Sequence, residues 1–255
     1  MPEGTPIQPP NHPIWADLSS PDLDASKEFY GQLFGWESEL MGPPESGDYT
    51  IFRSGGKSTA ALMTTMGGQM PAVWRAYIYV TDAAATTEKA RAAGAAIFME
   101  AMDVFDNGRS AFFADPTGAA IGLWEPRNMT GADVMFEPGS LAWIELGTRD
   151  LDTAKQFYKT VFGWDSKTSE GEMPYTEWQL GGKSIAGAMP LGPQQEGVPA
   201  NWLVYFAVED VDKSAAQVQE LGGSVMVQPM DFPGGRFAIA GDPHGSAFGL
   251  MFLRS

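Results

Sequence analysis

Two carboxylates stand where acid–base chemistry could be done. Asp17 follows Trp15 by two residues in Ile14–Trp36, IWADLSSPDLDASKEFYGQLFGW, and Glu145 follows Trp143 by two residues in Ala142–Trp164, AWIELGTRDLDTAKQFYKTVFGW. Side chains on a strand alternate between its faces, so each carboxylate shares a face with its tryptophan. A carboxylate desolvated against aromatic rings has its pKa raised and becomes a candidate general base; hydrogen-bonded, the same group can orient a ligand. The Gly-Gly-Lys-Ser segments at 55–58 and 181–184 invite a phosphate-loop reading, but the full spacing is absent and no helix follows, so a hairpin turn is expected there.

These residues are positioned by a chain that is written twice. Trp15 matches Trp143, an offset of 143 − 15 = 128, and 11 of the 23 positions in the two segments are identical. Gly55 recurs as Gly181, Trp74 as Trp202, Asp82 as Asp210, Gly94 as Gly222, and Asp115-Pro116-Thr117-Gly118 as Asp242-Pro243-His244-Gly245. A self-similarity of this length indicates two copies of one domain. We place them at 11–127 and 138–255, joined through RNMTGADVMFEPG and preceded by a Pro-rich arm. Each copy divides again. A short strand over Trp15–Ser19 leads to a helix capped by Asp22 or Ser20 and closed by Gly35. Strands at Tyr49–Arg53 and Thr59–Thr64 follow. The second module has a strand over Trp74–Val80, a helix over Ala83–Ala93 capped by Asp82 with Gly94 at its end, and strands near Ala95–Glu100, Arg109–Ala114 and Ala119–Trp124, the last pair joined by the Asp-Pro-x-Gly turn. The class is α+β, four βαβββ modules in all.

This pattern resembles the vicinal oxygen chelate superfamily of glyoxalases, bleomycin-resistance proteins and extradiol dioxygenases. SPDLDASKEFYGQLFGW with its copy, and DPTGAAIGLWEP with DPHGSAFGLMF, carry the resemblance across nearly the whole chain. It implies two glyoxalase/bleomycin-resistance-type domains in tandem, whose strands curve into cups that in metal-dependent members hold a metal. Carried onto this sequence, the ligand positions fall on Trp15 and Trp143, about Arg75 and Leu203, and Gly122 and Gly249. None of these side chains offers a usable donor. The two histidines, His12 in the arm and His244 in a turn, are expected in solvent. Both cups are therefore read as metal-free, with no cofactor.

Strand alternation then says what fills the cups. Asp17 and Glu145 are the candidate catalytic residues. The candidate ligand-binding residues are Trp15, Arg75, Tyr77, Tyr79, Trp124, Trp143, Tyr205 and Met251, with Gly122 and Gly249 clearing space. Aromatic walls suit a flat ligand. Arg75 would hold Asp17 ionised and favour an anionic or phenolic ligand in the first cup if adjacent modules pair; in the other pairing it would face Glu145. Trp36 and Trp164 are expected in the core. Arg109 and Arg236 either contact an anionic ligand or pair with acidic neighbours.

Composition narrows the function class. The net charge of −16 argues against nucleic acid and anionic membranes as partners, both of which need basic patches. The absence of cysteine excludes a thiolate nucleophile and zinc–thiolate sites. No apolar run has membrane-spanning length. The expectation is a cytoplasmic protein, monomer or homodimer, that binds a small aromatic or flat molecule for sequestration, resistance or delivery. Two rivals stand beside it: a glyoxalase-like lyase or hydroxylase-type enzyme using Asp17 or Glu145 as acid/base, and a protein-interaction module of the kinase-inhibitor-like type.

Overall fold

A computed structural model describes residues 7–41, 48–65, 72–170 and 174–254. The first copy runs β1 (Pro13–Ser20), α1 (Leu23–Phe34), β2 (Glu37–Leu40), β3 (Thr50–Ser54), β4 (Lys57–Thr64), β5 (Val73–Tyr79), α2 (Ala83–Ala92), β6 (Ala96–Val104), β7 (Gly108–Ala114) and β8 (Ala120–Pro126). The second repeats it: β9 (Leu141–Thr148), α3 (Leu151–Phe162), β10 (Asp165–Thr168), β11 (Thr176–Leu180), β12 (Lys183–Pro190), β13 (Asn201–Ala207), α4 (Val211–Glu220), β14 (Ser224–Phe232), β15 (Gly235–Gly241) and β16 (Ala247–Leu253). The strand orders are β2-β3-β4-β1-β5-β8-β7-β6 and β10-β11-β12-β9-β13-β16-β15-β14. The chain is thus α+β, two tandem glyoxalase-type domains with mixed eight-stranded sheets.

The helices begin and end for local reasons. Asp22, rather than Ser20, caps α1, its Oδ1 accepting from the Ala25 amide at 3.0 Å, while Ser20 Oγ accepts from the Asp22 amide. Asp150, Asp82 and Asp210 cap the other three helices in the same way. Gly35 ends α1 at φ 70° and Gly163 ends α3 at φ 74°, a left-handed conformation that a Cβ would strain. β2 and β10 escape a period-based reading because all four residues of each are exposed, so no apolar face alternates.

By packing, the chain divides into two compact units. One comprises Trp15–Arg75, Ala132–Ala142 and Val204–Ser255; the other the described residues of Met1–Ile14 with Ala76–Gly131 and Trp143–Leu203. In the first, Tyr30 of α1 is fully buried; its hydroxyl donates to Asp242 Oδ2 at 3.0 Å and accepts from Trp74 Nε1 at 2.9 Å. Phe34, Trp36, Phe52, Phe206 and Phe248 pack around it. The Trp36 indole and the Thr59 hydroxyl both donate to the Gly139 carbonyl, so this part of the inter-repeat segment is tied down rather than loose. In the second unit, Tyr158 of α3 donates to Asp115 Oδ2 and accepts from Trp202, both at 2.8 Å, among Phe157, Phe162, Trp164 and Trp178. Each Asp belongs to an Asp-Pro turn and uses its other oxygen to accept backbone amides within the turn. A helix tyrosine of one copy is therefore fastened to the Asp-Pro turn of the other.

Candidate functional site

In the unit that holds Asp17, every residue of β1 is buried, on both faces. Trp15 is 3% exposed and Asp17 2%. Tyr49, at the entrance to β3, supplies the link between them: the Trp15 indole donates to its hydroxyl at 3.0 Å, and that hydroxyl bonds to the Asp17 carboxylate. From β5, Arg75 Nε donates to Asp17 Oδ1 at 2.7 Å, and its Nη2 lies against Met63 Sδ. Burial pushes the Tyr49 phenol well above its ordinary range, and the Asp17 charge adds to this. The Trp15 bond and the Arg75 charge oppose it. Arg75 thus meets Asp17, although in this unit the first module packs with the fourth, the pairing in which Arg75 was expected to face Glu145.

The other unit holds the second copy of this constellation with two replacements, Glu145 for Asp17 and Leu203 for Arg75. Trp143 Nε1 donates to Tyr175 Oη at 2.9 Å, and the Tyr175 hydroxyl bonds to Glu145. Burial raises the Tyr175 pKa, and the Glu145 charge raises it further, so the phenol keeps its proton. Gly187 of β12, opposite Glu145 in register, lies directly under the Tyr175 hydroxyl; a Cβ there would collide with it and crowd the Trp143 Nε1. Leu203 stands where Arg75 stands in the first copy. β9 alternates where β1 does not: Trp143, Glu145 and Gly147 are half-exposed between buried neighbours. Beyond Gly147, Leu191 borders an open hollow of about 480 Å³ with Arg149, Gly192, Pro193 and Glu196. Arg149 braces that loop by donating to the Gln195 and Val198 carbonyls.

The remaining candidates are more deeply packed than a ligand wall requires. Tyr77, Trp124, Tyr205 and Met251 are all buried, and Tyr79 is half-buried. Gly122 and Gly249 do clear space, but the occupants are protein rings: Tyr77 lies over Gly122 and Tyr205 over Gly249, each opposite its glycine in register. The Trp124 indole donates to the Met129 carbonyl at 2.8 Å. Arg109 pairs with Asp103 and Glu125, and Arg236 with Asp212 and Asp231. His244, expected in solvent, has its Nε2 buried without a hydrogen-bond partner among the described residues. Trp36 and Trp164 are core residues, as read. Tyr49 and Tyr175 are the residues that strand alternation missed: Tyr49 opened the expected strand at Tyr49–Arg53, but alternation along one strand does not say which residue of a neighbouring segment meets it. Their signal was present: Tyr49-Thr50 recurs as Tyr175-Thr176 at an offset of 126, the same offset that relates Gly55 to Gly181.

The residues present do not fit the metal of the metal-dependent branch. At the family's ligand positions the Trp15 and Trp143 indoles donate to tyrosines, the Arg75 guanidinium is bound to a carboxylate, and Gly122 and Gly249 lie under rings. Among the described residues, no three His, Cys, Asp or Glu side chains gather as a metal cluster. Among them also, no helix is long and apolar enough to cross a membrane.

The comparisons agree with this architecture. DauV, an anthracycline biosynthesis protein of Streptomyces sp. (strain C5), is 40% identical over 261 residues, covering 96% of this chain and 94% of that protein. CFP32 of Mycobacterium bovis, provisionally named a glyoxylase, is 38% identical over 246 residues, 94% of each chain. The Mn(II)-bound glyoxalase from Novosphingobium aromaticivorans superposes with a TM-score of 0.66 at 16% identity, covering 94% of this chain and 81% of that one, a likeness of fold. The glyoxalase family profile matches residues 12–123 and 140–250, once per repeat, and the chain belongs to the glyoxalase/bleomycin resistance protein/dioxygenase superfamily.

Proposed function

We propose that this protein binds a flat, largely aromatic small molecule, without a transition metal at the family's metal positions, in sequestration, resistance or delivery. The observation that carries the reading is the Trp143–Tyr175–Glu145 group. It sets an indole, a phenol and a carboxylate on one half-exposed strand face, with their mutual hydrogen bonds already made. Such a surface stacks a ring and orients it through one polar contact, and because it is preorganised, little entropy is lost on binding. The name of DauV supports a ligand of this class, since anthracyclines are flat polycyclic aromatics. Trp15, Asp17 and Arg75 form the corresponding group of the first copy, and Tyr77, Tyr79, Trp124, Tyr205 and Met251 belong to the reading as supports of the two faces. With it go domain bounds of 11–127 and 138–255, a cytoplasmic setting, and a monomer or homodimer acting on a diffusible ligand.

A second reading, an acid/base enzyme of the glyoxalase-like lyase or hydroxylase type, is favoured by one contact: the Tyr175 phenol holds its proton on the Glu145 carboxylate, an arrangement able to pass a proton. Titration of the protein with flat aromatic compounds, followed by tryptophan fluorescence and calorimetry, tests the first reading. Saturable binding that Trp143→Ala abolishes supports it, and no binding by any such compound overturns it. Elemental analysis of protein purified without chelator should give substoichiometric Zn, Ni, Mn and Fe; a stoichiometric metal whose removal abolishes binding overturns the metal-free part. Turnover of a bound carbonyl compound that Glu145→Gln abolishes would install the second reading.

A further inference from the structure

The segment 191–200 leaves β12, crosses the end of β9 with the Leu191 amide donating to the Thr148 carbonyl at 2.9 Å, and returns as β13. Between this segment and Arg149, which directly precedes the Asp150 cap of α3, lies the hollow of about 480 Å³. Resting on the binding reading above, we propose that the hollow is a second subsite for the same ligand, taking an apolar ring or chain carried by its flat part, and that Arg149 is the positioning residue that holds the subsite open.

Four observations support this. The first is size and lining: small-molecule sites enclose about 300–1,000 Å³ behind mainly apolar walls, and here Leu191, Gly192 and Pro193 form the wall with Arg149 and Glu196 as the charged members. The second is continuity with the face already described. Gly147 follows Trp143 on the half-exposed face of β9, and Leu191 lies so close that a Cβ on Gly147 would stand 3.0 Å from its Cδ2. One leucine therefore borders both the strand face and the hollow. The third is that the segment keeps its shape without filling the space beside it. The Gln195 amide donates to the Gly192 carbonyl, the Val198 amide to the Gln195 carbonyl, and the Gly192 amide to Gln195 Oε1. The Arg149 guanidinium then donates to the Gln195 and Val198 carbonyls at 2.6 and 2.7 Å, a two-point hold that a planar fork makes and a single ammonium does not. The fourth is the comparison between copies: at the offset of 128, Ser19 stands for Gly147 and Pro21 for Arg149, and proline carries no donor with which to hold a carbonyl. The residues that shape the hollow thus belong to the copy whose strand face is the more open.

The test uses two neutral flat probes that differ by one apolar ring, coumarin and 4-phenylcoumarin, with affinities read by calorimetry on the full chain. 4-Phenylcoumarin should bind about tenfold or more tightly, since burying a phenyl-sized group supplies at least that factor. Gly192 has an extended backbone, and a Cβ there meets nothing within 4 Å, so Gly192→Trp is free of strain and places an indole beside the hollow. This variant should bring 4-phenylcoumarin down to the affinity of coumarin. Arg149→Gln should do the same by releasing the segment: the amides of Gln195 and Val198 should lose protection in hydrogen exchange, coumarin should bind as before, and the protein should still melt cooperatively. Equal affinities of the two probes for the wild type, a phenyl gain that survives both substitutions, or an equal loss of both probes in Arg149→Gln would each overturn the inference while leaving the binding reading in place. Failure of both probes to bind the wild type would overturn that reading and the inference together.

Discussion

Replacing Arg75 by Leu converts the first copy of the site into the second at its fourth position, and the cost follows from the burial of the pair. The Asp17 side chain is 3% exposed and that of Arg75 22%. Removing one partner of a buried ion pair costs about 3–5 kcal/mol, because the surviving charge stays desolvated. Tyr49 still donates to Asp17 in the variant and offsets part of that loss, so the expected destabilisation is about 2–3 kcal/mol. In domains of 150–250 residues this lowers the melting temperature by about 5–10 °C. The double variant Asp17→Leu/Arg75→Leu should recover most of the loss, since an apolar pair of matched volume is often as stable as the ion pair it replaces. Calorimetric or circular-dichroism melting of wild type, both single variants and the double variant completes the cycle. A change of less than about 0.5 kcal/mol for Arg75→Leu, with no coupling in the cycle, would refute the reasoning and return Arg75 to the role of a ligand-facing residue. The same logic separates the two carboxylates. The sequence alone suggests that Asp17→Asn and Glu145→Gln should both alter function with stability nearly unchanged; the structure predicts this for Glu145→Gln, and a lowered melting temperature for Asp17→Asn.

Tyr158→Phe should destabilise the protein by about 1–3 kcal/mol, because it leaves the buried Trp202 indole without its acceptor and Asp115 Oδ2 without its donor; denaturant unfolding measures it, and ligand affinity should not change. Tyr30, Tyr49, Tyr158 and Tyr175 all have folded-state pKa values raised by burial, so the stability tied to their protonation is fully present below a pH of about 10 and is lost as pH rises above it. In an ultraviolet titration these four should therefore ionise only as the fold is lost, and reversible ionisation of all seven tyrosines near their ordinary value with native circular dichroism would contradict this. Gly249→Ala should cost about 1–3 kcal/mol, since the added Cβ meets the Tyr205 ring; a neutral result in thermal melting would mean that the ring moves freely.

What the sequence disclosed and what it withheld divide along a physical line. Helix caps and turns are decided within a few residues, so the aspartates before all four helices and both Asp-Pro-x-Gly turns could be read from spacing, and the repeat supplied each reading twice. β2 and β10 have no buried face, so hydrophobic alternation has nothing to register in them. The Tyr30–Asp242 and Tyr158–Asp115 bonds join residues 212 and 43 positions apart, and no local pattern announces which tyrosine reaches which turn. The carboxylates and tryptophans of the site were visible because alternation along one strand needs no partner. Tyr49 and Tyr175 were not, because they come from a neighbouring segment, although the recurrence of Tyr-Thr at the local offset marked them. Gly122 and Gly249 show the limit of reading a missing side chain as room for a ligand: in a sheet, the space beside a glycine is filled first by the residue opposite it, here Tyr77 and Tyr205. The duplication then turns this limit to advantage. Both copies keep the Trp–Tyr–carboxylate group, and Leu203 stands in the second where Arg75 stands in the first, so each copy is the other's control. β1 is buried throughout, whereas Trp143, Glu145 and Gly147 of β9 are half-buried, so the second copy presents the more open face of the two.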